Sequence, residues 1–192
     1  MRHFIQLSAC LYFLASSGNA WADDNQTIPL AAAGEGHCAT EWAALMGLGA
    51  TTQLTDPVEY DGTLDPDTSA TFGKYADAVV ALSEYEFALI ALIREAQQSK
   101  QQFDLVRARF DLAMCLMPSQ TERDLITAAS MRVTDRSESE TRELLFRPFD
   151  SFLCLKMGTV SRKIFALDPL ASDFRDQAID ISISTIRPCD ET

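Results

Sequence analysis

The chain predicts an all-α fold, a disulfide-stapled bundle of about six helices, and three observations carry that expectation. Apolar residues recur at three- and four-residue steps over long stretches, the period of a helix face. Ser119 with Glu122 and Ser137 with Glu140 match the capping box, in which the serine satisfies an orphan backbone donor and the glutamate reaches back to the cap. Four cysteines, Cys38, Cys115, Cys154 and Cys189, follow a segment that reads as an export signal, and an even number in an oxidising compartment is most simply two disulfides.

That leader comes first. Arg2 and His3 precede an apolar stretch over residues 4–15, a short polar segment, and Ala20-Trp21-Ala22, the small-x-small pattern cut by signal peptidase. The stretch is shorter than the about 20 apolar residues a permanent span needs, so cleavage after Ala22 is expected to release a periplasmic or secreted protein. A rival reading, lipidation at Cys10 after Leu7-Ser8-Ala9, leaves an apolar core well under the usual length before the cysteine. The 170 residues from Asp23 onward suit one domain with an interior of its own.

Residues 23–36 are polar and then small (Ala31-Ala32-Ala33-Gly34-Glu35-Gly36), a flexible leader to a single helical domain over 37–192. Residues 38–48 form a short first helix with Trp42, Leu45 and Met46 near one side, weakened by Gly47 and Gly49. Residues 49–67 hold Pro57, Pro66 and five carboxylates without an apolar period, which reads as a long acidic loop. From about 69 to 99, Phe72, Tyr75, Val79, Leu82, Leu89 and Ile93 share a face widened by Val80, Phe87 and Ile90, so this helix is expected at the centre. Asp77, Glu84, Glu86 and Arg94 exclude it as a membrane span.

Phe103, Val106, Phe110, Ala113 and Met117 define the next helix, ended by Pro118 and packed antiparallel on the one before it. The capping boxes start helices over 120–133 and 138–146, the latter stopped by Pro148. A further helix over 149–167 carries Phe152, Leu155, Val160, Ile164 and Phe165 until Asp168-Pro169. After Ser172 the pattern fits a strand through Ile179, Ile181 and Ile183, and a helix through Phe174, Ala178, Ile179, Ile183 and Ile186. No other segment offers a partner strand, so helix is the expectation. The four cysteines allow three connectivities, which spacing does not separate.

Charge is lopsided. Residues 23–99 carry thirteen acidic and two basic side chains, and residues 100–192 carry fifteen and thirteen. Nucleic acid and anionic membrane reward Lys and Arg, so neither is an expected partner. A basic protein is, steered towards Asp56, Glu59, Asp61, Asp65 and Asp67 of the acidic loop. The expected role is a non-enzymatic exported binder, in its concrete form an inhibitor or immunity factor for a basic cell-wall hydrolase.

Two other classes compete with it. One is an envelope enzyme cleaving peptidoglycan or glycan, with Glu41 as a shielded acid beside Trp42, or with His37. The other is an assembly or scaffold component of an envelope or secretion machine. His37 beside Cys38 resembles a thiol and its base, but neighbours in sequence rarely face each other and Cys38 is expected in a disulfide. Calcium at the acidic loop lacks the EF-hand ligand order, and zinc lacks ligands paired at short spacing. No cofactor or metal is therefore expected, and no phosphate loop, Ser-His-Asp set or HExxH is found.

Overall fold

A computed structural model describes residues 38–50, 65–95 and 99–186. Every regular element among them is an α-helix, seven in all, against about six expected. Helix α1 is Ala39–Gly47; Cys38 stands at its N-cap with φ 71 and offers no side-chain cap. Trp42 and Leu45 bury its inner side, and Gly49 at φ +78 takes the left-handed turn that ends it.

Helix α2, Pro66–Arg94, begins three residues before the expected start because Asp65 caps it. The Thr68 backbone N–H and its hydroxyl donate to the Asp65 carboxylate at 2.9 and 2.7 Å. Pro66 then fits the first helical position, where its missing N–H costs nothing. Helix α3, Lys100–Cys115, is capped by Ser99, which accepts from the Gln102 N–H at 3.1 Å. Phe103, Val106, Phe110 and Ala113 are buried as expected, while Met117 is half-buried beyond the helix end. Arg109 bonds Glu84 at 2.5 Å and the Tyr85 and Phe110 rings lie 5.3 Å apart. Both pairs sit about equally far from the connection, so α2 and α3 run antiparallel.

Helices α4, Gln120–Met131, and α5, Glu138–Cys154, both open on complete capping boxes. Pro148 does not stop α5. A proline inside a helix costs about 3 kcal/mol, but Phe146, Phe149 and Phe152, on both sides of it, are 1%, 0% and 1% exposed. Burying each is worth about 1.5–3 kcal/mol, so packing outweighs the lost hydrogen bond, and Pro148 itself faces solvent. The break falls instead at Leu155 and Lys156, where Lys156 turns left-handed (φ 55). The helix expected over 149–167 is therefore divided between the end of α5 and a separate α6, Met157–Ile164. Helix α7, Phe174–Thr185, confirms helix over strand: Phe174, Ala178, Ser182 and Thr185 point inward and Ile183 is exposed.

The interior is a chain of rings. Tyr75 meets Phe146 and Phe149 edge-on at 5.7 and 6.0 Å, Tyr85 meets Phe110 and Phe152, and Phe165 links Phe110 to Phe103, which touches Phe174. These contacts tie α2, α3, α5 and α7 into one apolar cluster. Buried Tyr85 shares a very short hydrogen bond with the Ser161 hydroxyl, which donates to the Met157 carbonyl at 2.6 Å. The Tyr75 hydroxyl donates to the Leu145 carbonyl at 2.7 Å, so both phenol heads of the ring chain are satisfied.

Cys38 and Cys115 form a disulfide with Cα atoms 5.8 Å apart, closing a separation of 77 residues. Cys154 is disulfide-bonded as well. Cys189 lies outside the described residues. No described helix is long and apolar enough to cross a membrane.

Candidate functional site

Helix α3 packs its apolar side inward and so turns Asp104, Arg107 and Asp111, spaced three and four residues apart, onto one outer face. The disulfide at its end draws the first turn of α1 against that face and brings Glu41 beside it. On the other side, α6 buries Val160, Ser161 and Ile164 and leaves Arg162 exposed. Between these three helices lies an open groove of about 670 Å3, with Ala44, Ala108, Phe110, Met114 and Cys115 among its lining.

The charges of this groove are largely unspent. Asp104 takes the exposed Lys100 at 3.4 Å, while Glu41, Arg107, Asp111 and Arg162 make no ion pair among the described residues. The Asp111 carboxyl is held above its ordinary range, first by desolvation at the wall; Arg107 pulls it down and Glu41 pushes it up. The charge of Glu41 therefore reaches Asp111 within the groove.

Glu41 is also within 4.8 Å of both disulfide sulfurs through its carboxylate oxygen. Two thiolates and a carboxylate would suit a soft metal ion, but sulfurs joined to each other present no thiolate. In the oxidised protein this cluster is a disulfide with an acid beside it.

The residues singled out by sequence are scattered. Asp56, Glu59, Asp61 and His37 lie outside the described residues. Asp65 and Asp67 are exposed at the start of α2, and the bonds from Thr68 that make Asp65 a cap also lower its pKa. Glu84 and Glu86, two residues apart, face different ways: Glu84 holds Arg109, whereas Glu86 has no ionic partner among the described residues and is pushed up to about 7 by burial. Asp77, on the same helix, is pushed up to about 6 for the same reason. Asp104, Arg107, Asp111 and Arg162 escaped sequence reasoning; the spacing of the first three along a predicted helix was visible, but nothing marked which helix would face it.

A smaller hollow of about 270 Å3 lies along α5, lined by Glu143, Arg147, Asp150, Ser151 and Cys154. No family model matches the chain, and no curated protein or solved structure matches it either.

Proposed function

We propose that this protein is an exported, non-enzymatic helical bundle, stapled by two disulfides, that binds a basic partner protein through its carboxylate-rich first half, as an inhibitor or immunity factor for a basic cell-wall hydrolase. The observation that carries the reading is the charge division, thirteen acidic against two basic side chains over residues 23–99. Such a field steers a cationic partner and repels polyanions. Asp65 and Asp67, exposed at the start of α2, supply the edge of that surface, and the bonds from Thr68 favour the ionised form of Asp65. Cleavage after Ala22 would deliver the chain to the compartment where such hydrolases work.

The test is binding of the purified mature protein to basic envelope hydrolases across a salt series. The expected complex weakens as salt rises and again when Asp61, Asp65 and Asp67 become Asn. Affinity indifferent to both would remove the acidic-surface mechanism.

A second reading rests on the groove. Glu41 and Asp111 line a common hollow, with Asp111 shifted towards its protonated form, and a pair of carboxyls serves as acid and base in glycan cleavage. Peptidoglycan digestion by the wild type that is lost in a folded Glu41→Gln variant would put this reading ahead of the binder.

A further inference from the structure

The two sulfurs of the Cys38–Cys115 bridge are not equivalent. Cys38 is 7% exposed and sits at the N-cap of α1, under the first turn. Cys115 is half-buried at the end of α3 and forms part of the groove wall. An attacking thiolate must line up with the sulfur it attacks and push out the other. Of the two cysteines, Cys115 lines the groove and Cys38 does not.

The leaving side is also prepared. Cys38 stands at the N-cap, where the backbone N–H groups of the first turn have no partner within the helix itself, and it makes no side-chain capping bond that would have to be broken. A thiolate at a helix N-terminus is favoured by those N–H groups and by the helix dipole. The same groove presents Arg107 and Arg162, exposed and in no close ion pair among the described residues, together with the Glu41, Asp104 and Asp111 carboxylates, of which Asp111 feels the charge of Arg107. Charges of both signs around the partly apolar floor of this open groove complement a peptide that carries carboxylates and an amine.

We infer that Cys115 is a thiol-exchange site: a small thiol peptide of the glutathione class, seated in the groove by Arg107, Arg162 and Glu41, attacks the Cys115 sulfur and releases Cys38. In the step, the peptide thiolate gives its electron pair to Cys115 Sγ and the new sulfur–sulfur bond forms. The Cys38–Cys115 bond breaks, its electrons leave on Cys38 Sγ, and that thiolate then takes a proton from water. One disulfide replaces another, so no outside oxidant is needed. Glu41 plays two opposing parts. It favours the peptide's amine, but within 4.8 Å of both sulfurs it also disfavours the approaching and departing thiolates.

The experiment uses the oxidised mature protein and reduced glutathione at neutral pH. Early time points are quenched in mild acid with N-ethylmaleimide and mapped by mass spectrometry. Glutathione on Cys115 with maleimide on Cys38 is expected to exceed the reverse pattern by about tenfold or more. Equal adducts, a majority on Cys38, or a bridge that stays intact while the urea-unfolded protein exchanges would each overturn the assignment. A second arm compares glutathione with uncharged 2-mercaptoethanol. Arg107→Gln with Arg162→Gln should slow glutathione several-fold and leave 2-mercaptoethanol unchanged, whereas Glu41→Gln should speed 2-mercaptoethanol. Equal effects of the arginine changes on both thiols would refute seating in the groove.

Discussion

Replacing Glu86 by Gln should stabilise this protein, and the gain should depend on pH in a defined direction. Glu86 is half-buried on the central helix α2, has no ionic partner among the described residues, and is pushed by desolvation from 4.5 up to about 7. Each tenfold change in proton affinity is worth about 1.4 kcal/mol, so ionising Glu86 costs the folded state about 3 kcal/mol more than it costs the unfolded chain. The folded carboxyl holds its proton longer. Its stability contribution is therefore intact below pH 4.5, declines as pH rises through the window up to about 7, and is fully lost above it. Gln copies the shape of the protonated acid and never ionises. Allowing for water at a half-buried site, the advantage of Glu86→Gln over wild type should grow by about 2 kcal/mol between pH 5 and pH 8, or about 4–8 °C in melting temperature. Urea unfolding followed by far-UV circular dichroism at the two pH values measures it. Asp77, raised to about 6, has the same sign but is present in both proteins and cancels. An advantage that is the same at both pH values would refute the reasoning.

Four more outcomes follow from the crosslinks, caps and packing. Changing Cys38 and Cys115 together to Ser opens a crosslink spanning 77 residues and should cost about 4–5 kcal/mol on chain-entropy grounds, read as a fall in the urea midpoint; non-reducing peptide maps of the wild type should pair Cys154 with Cys189. Ser137→Ala removes the cap of α5, whose hydroxyl accepts from the Glu140 N–H at 3.3 Å, and should cost about 1 kcal/mol in the same assay. Arg123 bonds Asp150 at 2.6 Å and stacks over the Phe146 ring at 4.9 Å, so Arg123→Ala should destabilise more than Asp150→Asn, by about 1 kcal/mol; equal losses would mean the ring contact contributes nothing.

Local rules made most of this fold readable. Ser119 and Ser137 announced helix starts because a cap is decided by residues three apart. Phe103, Val106, Phe110 and Ala113 announced a buried face because a helix repeats itself. The same local reasoning failed where distant residues decide. Pro148 carries a strong stop signal, yet Phe146, Phe149 and Phe152 anchor the helix on both sides of it, while the true break at Lys156 lies in Leu155-Lys156-Met157, a stretch without Gly or Pro. Asp65 looked like one more carboxylate of an acidic loop, and its distance of three from Thr68 was the clue to its work as a cap.

The groove was out of reach for a different reason. Its composition was in plain view, with Glu41 in one predicted helix and Asp104, Arg107 and Asp111 along a face of another. What joins them is the choice of Cys115 as the partner of Cys38, one of three pairings that the cysteine count allows equally. Had Cys38 paired with Cys154 or Cys189, the first turn of α1 would be tethered elsewhere, Glu41 would not press on Asp111, and the groove would lose a wall. The covalent bond therefore positions the acid as well as holding the helix, so breaking it should separate Glu41 from Asp111 and let the Asp111 pKa fall. Titration of Asp111 by carboxyl NMR in the bridged protein and in the Cys38→Ser, Cys115→Ser variant tests that coupling. An Asp111 pKa unmoved by loss of the bridge would mean that α3 and its surroundings alone set it.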